Sequence, residues 1–404
     1  MQLLLKLFFF TFLISRCFGQ STTVDKKINY YTKKAENYLD RTRTLSGFYA
    51  IDNVGIKIFA SSADKQNKKP ELAASWDSIF YLNKPKEPKP IDSLKLKGYK
   101  IAIDAGHTAG NLKEGELEKK YLKFKTTNTE GKSDSIEIAE GMLTFATAQL
   151  LKKKLEAAGA EVFMTRTFNG GTAFGVSFDD WLKTSYKSAI DSLFKIGEIN
   201  TDKKNLYLSS KFPKRDKFRL IFKDIELQKR GELINNYKPD LTVIIHFNVD
   251  ETNTGWSKPT GKDFNMTFVG GAFMKNDLSS KEKRLEFFRL LISDDLEKSI
   301  TLSSEVIKSF EKNLAVKTAT INDAKYLRES CFATDEKGVF CRNLQLTRFI
   351  HSPLVYGETL YQDNIIECSL LNKEKDKTKN LRLQQVAEAY YQGVLNYVSA
   401  GPEK

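Results

Sequence analysis

The alternation of apolar strand-like segments with helical ones constrains the fold more than any other feature of the sequence. Residues 99–104 and 160–165 have the pattern of buried strands, and 140–158 between them carry apolar residues at close to the helical period. A further helical pattern over 225–237 leads into a strand at 241–245. Strands that alternate with helices pair in parallel, because the helix provides the crossover connection. The sequence therefore predicts an α/β fold with a mostly parallel twisted sheet flanked by helices.

The chain ahead of this pattern is predicted to form an N-terminal extension and linker over 20–95. It contains a helical stretch at 28–38, a possible strand at 55–59, and a connector rich in proline and lysine at 83–91. We expect 96–400 to form one main domain.

Residues 168–224 interrupt the pattern of the main domain. They are rich in aromatic residues and lysine and show no clean periodicity. We interpret this segment as an insertion. A long segment between two regular elements can cover a site and move on activation, so we hypothesise that a lid or an autoinhibitory element would lie here.

The first nineteen residues indicate export. A single early lysine, Lys6, precedes an apolar run at 7–14, and the small residues Cys17 and Gly19 stand three and one positions before Gln20. This order is typical of a cleaved signal peptide. We expect cleavage between Gly19 and Gln20 and a mature protein that is periplasmic or secreted.

A lipoprotein anchored through Cys17 is the rival interpretation of the leader. Arg16 stands where a small residue is expected before a lipidated cysteine, and this disfavours the lipoprotein. No later segment approaches the roughly 20 apolar residues that span a bilayer, so no transmembrane anchor is expected.

The net charge of the chain indicates which kinds of molecule it could bind. Lysine and arginine number 64 against 51 aspartate and glutamate residues, which gives a formal net charge of +13. A basic protein associates with anionic polymers and surfaces, and charge alone does not choose among nucleic acid, membrane and an acidic polymer. Nucleic acid is disfavoured, because an exported chain without interleaved basic and aromatic residues lacks the usual binding motif.

Three cysteines follow the leader, at Cys331, Cys341 and Cys368. In an oxidising compartment Cys331 and Cys341 could form a disulfide, which would leave Cys368 buried or free. The spacing alone does not decide between a Cys331–Cys341 disulfide and free cysteines. None of the three has the C-x-x-C spacing of a cysteine zinc site.

Two of the three histidines in the chain follow predicted buried strands. His107 comes after the strand at 99–104, and His246 comes directly after the strand at 241–245. The carboxyl ends of parallel strands meet at one edge of a sheet, where binding sites form. Catalytic zinc commonly takes two histidines and a carboxylate, for which Glu140 and Glu137 are the local candidates. On spacing alone, hydrogen-bonding loop histidines and a glutamate paired with a helix dipole are the commoner explanation of this pattern.

Four motifs, taken together in order and spacing, resemble a known family. They are IDAGH at 103–107, Glu140 ahead of Thr165 and Arg166, Arg230 and Asn235 ahead of IIHFN at 244–248, and PLVYGETLYQDN at 353–364. Over roughly 98–397 the chain resembles the zinc-dependent N-acetylmuramoyl-L-alanine amidases of the type 3 catalytic family. These bacterial cell-wall enzymes cleave the amide that joins N-acetylmuramic acid to the L-alanine of the peptidoglycan stem peptide.

The resemblance implies a site and a cofactor. By position, His107, Glu140 and His246 would bind one Zn²⁺, and Glu358 would be catalytic. Zinc polarises a carbonyl and acidifies water, and a nearby carboxylate can accept a proton and return it to the leaving nitrogen. Glu367 is the alternative to Glu358.

Other polar residues receive structural interpretations. Arg230, Asn235 and Arg166 are expected to support the site rather than act in catalysis. Asp104, beside the first histidine motif, is expected to accept a hydrogen bond that orients a histidine, as metal sites often require.

Asn248 and His351 each have two possible roles, and the chain departs from the family pattern in two motifs. Asn248 could orient the His246 loop or contact substrate, and His351 is more readily explained as a surface loop histidine than as a group that supports the transition state. The chain has GHTA at 106–109 where the family usually has GHGG, and VYGE at 355–358 in place of a more aliphatic motif. These differences concern loop shape and leave the expected ligands in place.

The leading prediction is therefore an exported peptidoglycan amidase for wall remodelling, cell separation or recycling, with an envelope or division regulator as a possible partner. One alternative is a zinc peptidase that cuts within stem peptides and uses the same metal and Glu358. The other is a non-catalytic amidase-like module that binds peptidoglycan. All four expected metal and catalytic positions are filled, which disfavours the module.

Overall fold

The structure is a computed structural model that describes residues 23–85, 94–127 and 133–401. The predicted signal peptide, with Cys17, lies outside the described residues, as does most of the proline-rich connector.

Twelve strands and sixteen helices are present in the described residues. The strands are β1 Tyr49–Ile51, β2 Gly55–Ile58, β3 Leu72–Ser75, β4 Lys100–Ala105, β5 Tyr121–Thr127, β6 Ser133–Ala139, β7 Glu161–Met164, β8 Leu241–Asn248, β9 Met266–Val269, β10 Cys331–Ala333, β11 Val339–Arg342 and β12 Leu354–Tyr361. The helices are α1 at 23–34, α2 Ser62–Gln66, α3 Trp76–Leu82, α4 Leu112–Glu118, α5 Glu140–Ala157, α6 Phe178–Thr184, α7 Tyr186–Lys195, α8 Thr201–Leu208, α9 Lys214–Lys217, α10 Lys223–Tyr237, α11 Lys281–Ile292, α12 Asp295–Leu314, α13 Lys325–Ser330, α14 Gln345–Phe349, α15 Ile365–Asn372 and α16 Leu381–Ala400. Short π turns at Ala35–Leu39 and Phe218–Phe222 extend α1 and join α9 to α10, and 3-10 turns occur at Ser46–Phe48, Asp277–Ser279 and Lys377–Lys379.

Seven strands form the central sheet, in the order β10, β11, β9, β12, β8, β4, β7. Four of the six neighbouring pairs are parallel, and the β9–β12 and β10–β11 pairs are antiparallel. The predicted fold class is confirmed: the sheet is mostly parallel and helices flank it. The strands and helices predicted at 99–104, 140–158, 160–165, 225–237 and 241–245 correspond to β4, α5, β7, α10 and the first part of β8.

Helices cover both faces of the sheet. Helices α5, α12 and α16 pack on one face, and α10 and α14 on the other. Every residue of β8 is buried, because this central strand has a helical layer on each side. Such strands carry continuous apolar runs rather than alternating patterns.

The N-terminal extension packs into the core of the main domain. Leu39, Ile56 and Trp76 belong to the same buried cluster as residues of α5 and β8. The buried ammonium group of Lys34 donates to the carbonyl of Ser293 at 2.5 Å. The extension and the main domain thus share one hydrophobic core.

The segment at 168–224 is helical and has its own aromatic cluster. Its buried members are Phe178, Trp181, Tyr186, Ile190, Phe212, Phe218, Ile221 and Phe222. The side chain of Arg219 joins this cluster to α4, since it donates to the carbonyls of Leu117 at 2.7 Å and Glu116 at 3.1 Å. A small separate core, anchored beside α4, therefore holds this segment together.

The three described cysteines are free and buried. In the β10–β11 hairpin Cys331 stands opposite Arg342, and Phe332 opposite Cys341. Successive side chains of a strand point to opposite faces, so the two sulfurs lie on different sides of the sheet. The alternative of a Cys331–Cys341 bridge is not what the structure contains.

Within the three described ranges, none of the helices could span a lipid bilayer.

The aromatic cluster of the inserted segment provides a stability test. The indole of Trp181 is only 1% exposed, so Trp181→Ala should cost about 3–5 kcal/mol locally. Hydrogen exchange should then show loss of protection over 178–222, with β4 and β8 still protected. Leu206→Ala is the control, because Leu206 is 54% exposed. Equal loss of protection in the central sheet would contradict a separate small core.

Candidate metal centre and active-site pocket

His107, Glu140 and His246 meet at the carboxyl edge of the central sheet. His107 follows β4, Glu140 is the first residue of α5, and His246 lies near the end of β8. One donor atom from each lies within 4.8 Å of the other two. His107 Nε2 is 3.2 Å from Glu140 Oε2, and His246 Nδ1 is 3.1 Å from Glu140 Oε1. Glu137, the alternative carboxylate, is exposed on β6 and lies outside this cluster.

The loop after β4 packs closely against the ring of His246. A Cβ atom on Gly106 would lie 2.3 Å from Cε1 and Nε2 of the His246 ring, so only glycine fits there. His107 itself adopts a left-handed backbone conformation with φ of +61°. Such a conformation costs free energy in a non-glycine residue and persists where surrounding contacts enforce it, often at functional sites.

Arg230 makes several of the contacts that hold the backbone of His107 in this conformation. Its buried guanidinium donates to the carbonyls of Ala105 at 2.8 Å and His107 at 2.7 Å. The charge is balanced by Glu226 at 3.0 Å and Asp104 at 3.4 Å. Arg230 therefore lies behind the loop, where it holds the backbone and does not reach the pocket.

Arg166 and Asn235 hold neighbouring backbone in the same way. Arg166 donates to the carbonyls of Gly106 at 3.3 Å and Gly141 at 3.2 Å, which links the loop to the start of α5. Asn235 donates to the carbonyl of Phe349 at 2.9 Å. The three positions expected to be supports thus contact backbone.

Asp104 does not orient a histidine, and that expectation is wrong. Its carboxylate accepts from the hydroxyl of Thr165 at 2.5 Å and pairs with Arg230. The side chain of Asp104 projects to the face covered by α10, away from the ring of His107. The carboxylate beside Nδ1 of His107 is that of Glu118, whose Oε2 lies 3.0 Å away.

Glu118 is held in place by Thr108. Its Oε1 accepts from the amide of Thr108 at 2.9 Å and from the hydroxyl at 2.5 Å. Sequence reasoning missed Glu118 because it lies on a seven-residue helix without an apolar period. The available signal was the cap of that helix, where Asn111 accepts from the amide of Glu114, since Asn is a favoured N-cap residue.

The residues present fit a metal ion. Among the described residues, the buried atoms His107 Nε2 and Glu140 Oε2 have no hydrogen-bond partner. Two imidazoles and one carboxylate form a recognised donor set for zinc, and a carboxylate on the second ring nitrogen is the usual outer support of such a histidine. Burial opposes the charge on His107, yet Glu140 and Glu118 raise its pKa to about 9. The site therefore favours positive charge.

A fourth residue, Glu358, lies beside this cluster. It stands on β12 directly opposite His246 on β8. Burial and the charge of Glu140 raise the pKa of Glu358, although His246, Lys120 and Arg342 act in the other direction. A carboxyl group with a raised pKa is suited to accept and return a proton.

Glu358 projects into a cavity of about 230 Å³. The walls include Lys120 at the start of the β5–β6 hairpin, Trp256 in the loop after β8, Tyr326 on α13 and Arg342 at the end of β11. No residue of 168–224 is among those that line it. The segment hypothesised to be a lid therefore lies away from the cavity in this structure.

Asn248 contacts the loop after β8 and lines the cavity, and a contact with substrate stays a prediction. Its Oδ1 accepts from the amide of Val249 at 2.8 Å, which shapes the loop after β8. Its Nδ2 donates to the hydroxyl of Tyr326 at 3.0 Å, and the side chain lines the cavity.

Glu367 and His351, the two other residues considered for catalysis in the sequence analysis, do not line the cavity. Glu367, on α15, forms a buried ion pair with Arg382 at 2.5 Å and does not line the cavity. His351 is exposed in the loop before β12, as expected for a surface histidine.

An α/β domain with a His-Glu-His cluster and a free carboxyl in an adjoining cavity has the arrangement of a metal-dependent hydrolase. A family model described as N-acetylmuramoyl-L-alanine amidase matches residues 101–396. The chain belongs to this family, whose members are cell-wall hydrolases.

Three of the solved structures to which the chain is similar are named as amidases. The CwlD amidase from Clostridioides difficile, solved with the GerS lipoprotein, is 16% identical, with a TM-score of 0.39 over 75% of this chain and 100% of that one. Ami1 from Mycobacterium abscessus is 14% identical, with a TM-score of 0.39 over 75% and 99%. The catalytic domain of CwlV from Bacillus (Paenibacillus) polymyxa is 14% identical, with a TM-score of 0.38 over 74% and 98%. A sequence comparison with curated proteins finds no match. The family assignment rests on the family model.

The contact between Glu118 and His107 predicts an effect on metal affinity. Glu118→Gln keeps the shape of the side chain but removes the charge that favours a donor proton on Nδ1. We expect zinc affinity, measured by competition with a chromophoric chelator, to fall about 10- to 100-fold. Glu116→Gln, on the exposed side of α4, should leave it unchanged. Equal affinity of the Glu118 variant and the parent would contradict this role.

Proposed function

We propose that this protein uses one zinc ion, held by His107, Glu140 and His246, to hydrolyse the amide between N-acetylmuramic acid and L-alanine in peptidoglycan. The observation that carries the proposal is the position of Glu358, which lies opposite His246 and lines a cavity together with Phe247, the residue after His246. Family membership supplies the reaction class.

When bound, zinc supplies Lewis acidity that polarises the scissile carbonyl and acidifies water. Glu358 accepts a proton from the attacking water while the new C–O bond forms. It then donates that proton to the stem-peptide nitrogen as the C–N bond breaks. The products are a lactyl carboxylate on the glycan and a stem peptide with a free amine on L-alanine. Glu118 and Arg230 hold His107 in position from behind.

The proposed location is outside the cytoplasm, where peptidoglycan lies. It rests on the leader-like first nineteen residues, with cleavage between Gly19 and Gln20. The roles proposed for the enzyme there are wall remodelling, cell separation or recycling, with an envelope or division regulator as a possible partner.

A zinc peptidase would use the same metal donors and Glu358 and would differ in its products. A binding module has no need of a proton acceptor beside the metal donors, and the cavity position of Glu358 favours an enzyme over it.

The first test is product analysis on purified peptidoglycan. The zinc-loaded protein should release free stem peptides that begin at L-alanine, as detected by mass spectrometry. Glu358→Gln should slow this about 10²- to 10⁴-fold, because the proton transfer is lost, while zinc content stays the same. Glu137→Gln is the control, since Glu137 is exposed. Shortened peptides still attached to muramic acid would overturn the proposal in favour of a peptidase.

The second test concerns the metal. Dialysis against a chelator should abolish hydrolysis, and one equivalent of zinc should restore it. Zinc should also raise the melting temperature, because a ligand at 100 times its Kd stabilises the folded state by about 2.7 kcal/mol. His246→Ala should lose this thermal shift. Full activity in the chelated protein would contradict metal dependence.

A further inference from the structure

Arg342 is a cation in the wall of the active-site cavity. It is the last residue of β11 and is half-buried. Its guanidinium carbon lies 4.8 Å from the ring centres of both Phe268 and Tyr326. Among the described residues, no carboxylate pairs with this guanidinium.

Most other buried or half-buried arginines of the domain have such partners, whereas Arg166 and Arg219 donate to backbone carbonyls instead. Arg348 pairs with Glu286 at 2.6 Å, and Arg382 pairs with Glu367 at 2.5 Å. In the cavity region the ammonium group of Lys262 lies 3.3 Å from Asp250. Among the described residues the guanidinium of Arg342 has neither a carboxylate nor a carbonyl as its acceptor, and Arg342 faces the cavity together with Glu358.

The two rings hold the guanidinium in a fixed place. Tyr326 is itself fixed, because its hydroxyl accepts from Asn248 and lies 3.2 Å from the sulfur of Met266. An arginine that stacks on aromatic faces keeps its planar array of N–H donors free for a carboxylate, which it binds through two parallel hydrogen bonds. The cavity therefore presents an immobilised anion-binding group.

The spacing from the reacting bond identifies a candidate anion. The guanidinium of Arg342 lies against Phe268 on β9, which stands opposite Tyr356 on β12, two residues before Glu358. One strand spacing of about 4.8 Å and two residues of about 3.3 Å each place this guanidinium roughly 8 Å from the backbone of Glu358. An extended peptide covers about 7 Å in two residues, and a hydrogen bond spans about 3 Å more. An anion on the second residue of the stem peptide would therefore reach Arg342 when the scissile carbonyl lies beside Glu358.

The second stem residue of peptidoglycan is D-glutamate, which continues the chain through its side-chain carboxyl. Its α-carboxylate is therefore free, unless the cell amidates it to isoglutamine. We propose that Arg342 binds this α-carboxylate, so that the cavity prefers stems with free D-glutamate over amidated stems. The inference rests on the proposed function and adds a specificity to it.

The test measures binding of two product peptides by calorimetry. L-Alanyl-γ-D-glutamyl-L-lysine and its isoglutamine counterpart differ only in the carboxylate. The zinc-loaded full chain should bind the acid about 10- to 150-fold more tightly, as expected for a hydrogen bond between charged groups. Arg342→Gln should reduce this ratio to near one, and Arg342→Lys should restore part of it. Arg328→Gln, an exposed cation on α13, should keep the parent ratio.

The outcomes separate this inference from the function it rests on. Equal affinity of the parent for both peptides, or no binding of either, would overturn the role of Arg342, whereas the amidase proposal is judged by the hydrolysis products. A loss of affinity in Arg342→Gln that is the same for both peptides would also overturn it, since that result indicates general damage to the cavity. Circular dichroism and melting temperature establish that each variant is folded.

Discussion

The buried carboxylate of Glu140 is the interaction on which the site depends. It is 1% exposed, and its two oxygens face His107 on one side and His246 on the other. The amide of Phe247 also donates to it, at 3.2 Å. Since Glu140 opens α5, this carboxylate fixes the helix start against the ends of β4 and β8. A buried carboxylate between two imidazoles is costly unless cationic partners or a metal ion compensate its charge, and the cluster is arranged for that compensation.

The supports of the site come from parts of the chain far apart in sequence. Arg230 on α10 holds the carbonyl of His107, and Glu118 on α4 holds its ring. The inserted segment 168–224 reaches both supports, because Arg219 donates to the last carbonyls of α4 and the amide of Ala173 donates to Glu226, which pairs with Arg230. This segment therefore contributes to the stability of the histidine loop, although it does not line the cavity.

Much of the fold could be predicted from sequence, and so could the three residues of the His107, Glu140 and His246 cluster. The apolar runs of β4 and β8 and the helical period of α5 are local signals, whereas the choice of these three residues as metal ligands came from the family resemblance. Glu118 and Arg342 could not be predicted, because their roles depend on contacts across the fold. The β5–β6 hairpin between His107 and Glu140 was also missed. Asp104 was misassigned because proximity in sequence to His107 does not show which face of the sheet its side chain occupies.

The most direct test of this account is anomalous diffraction at the zinc absorption edge from crystals of the protein grown with zinc. We predict one strong peak bounded by the side chains of His107, Glu140 and His246, at about 2.0–2.2 Å from each donor atom, as zinc requires of nitrogen and oxygen ligands. A peak at any other position, or none at this cluster, would contradict the central claim that these three residues form the metal centre of an amidase.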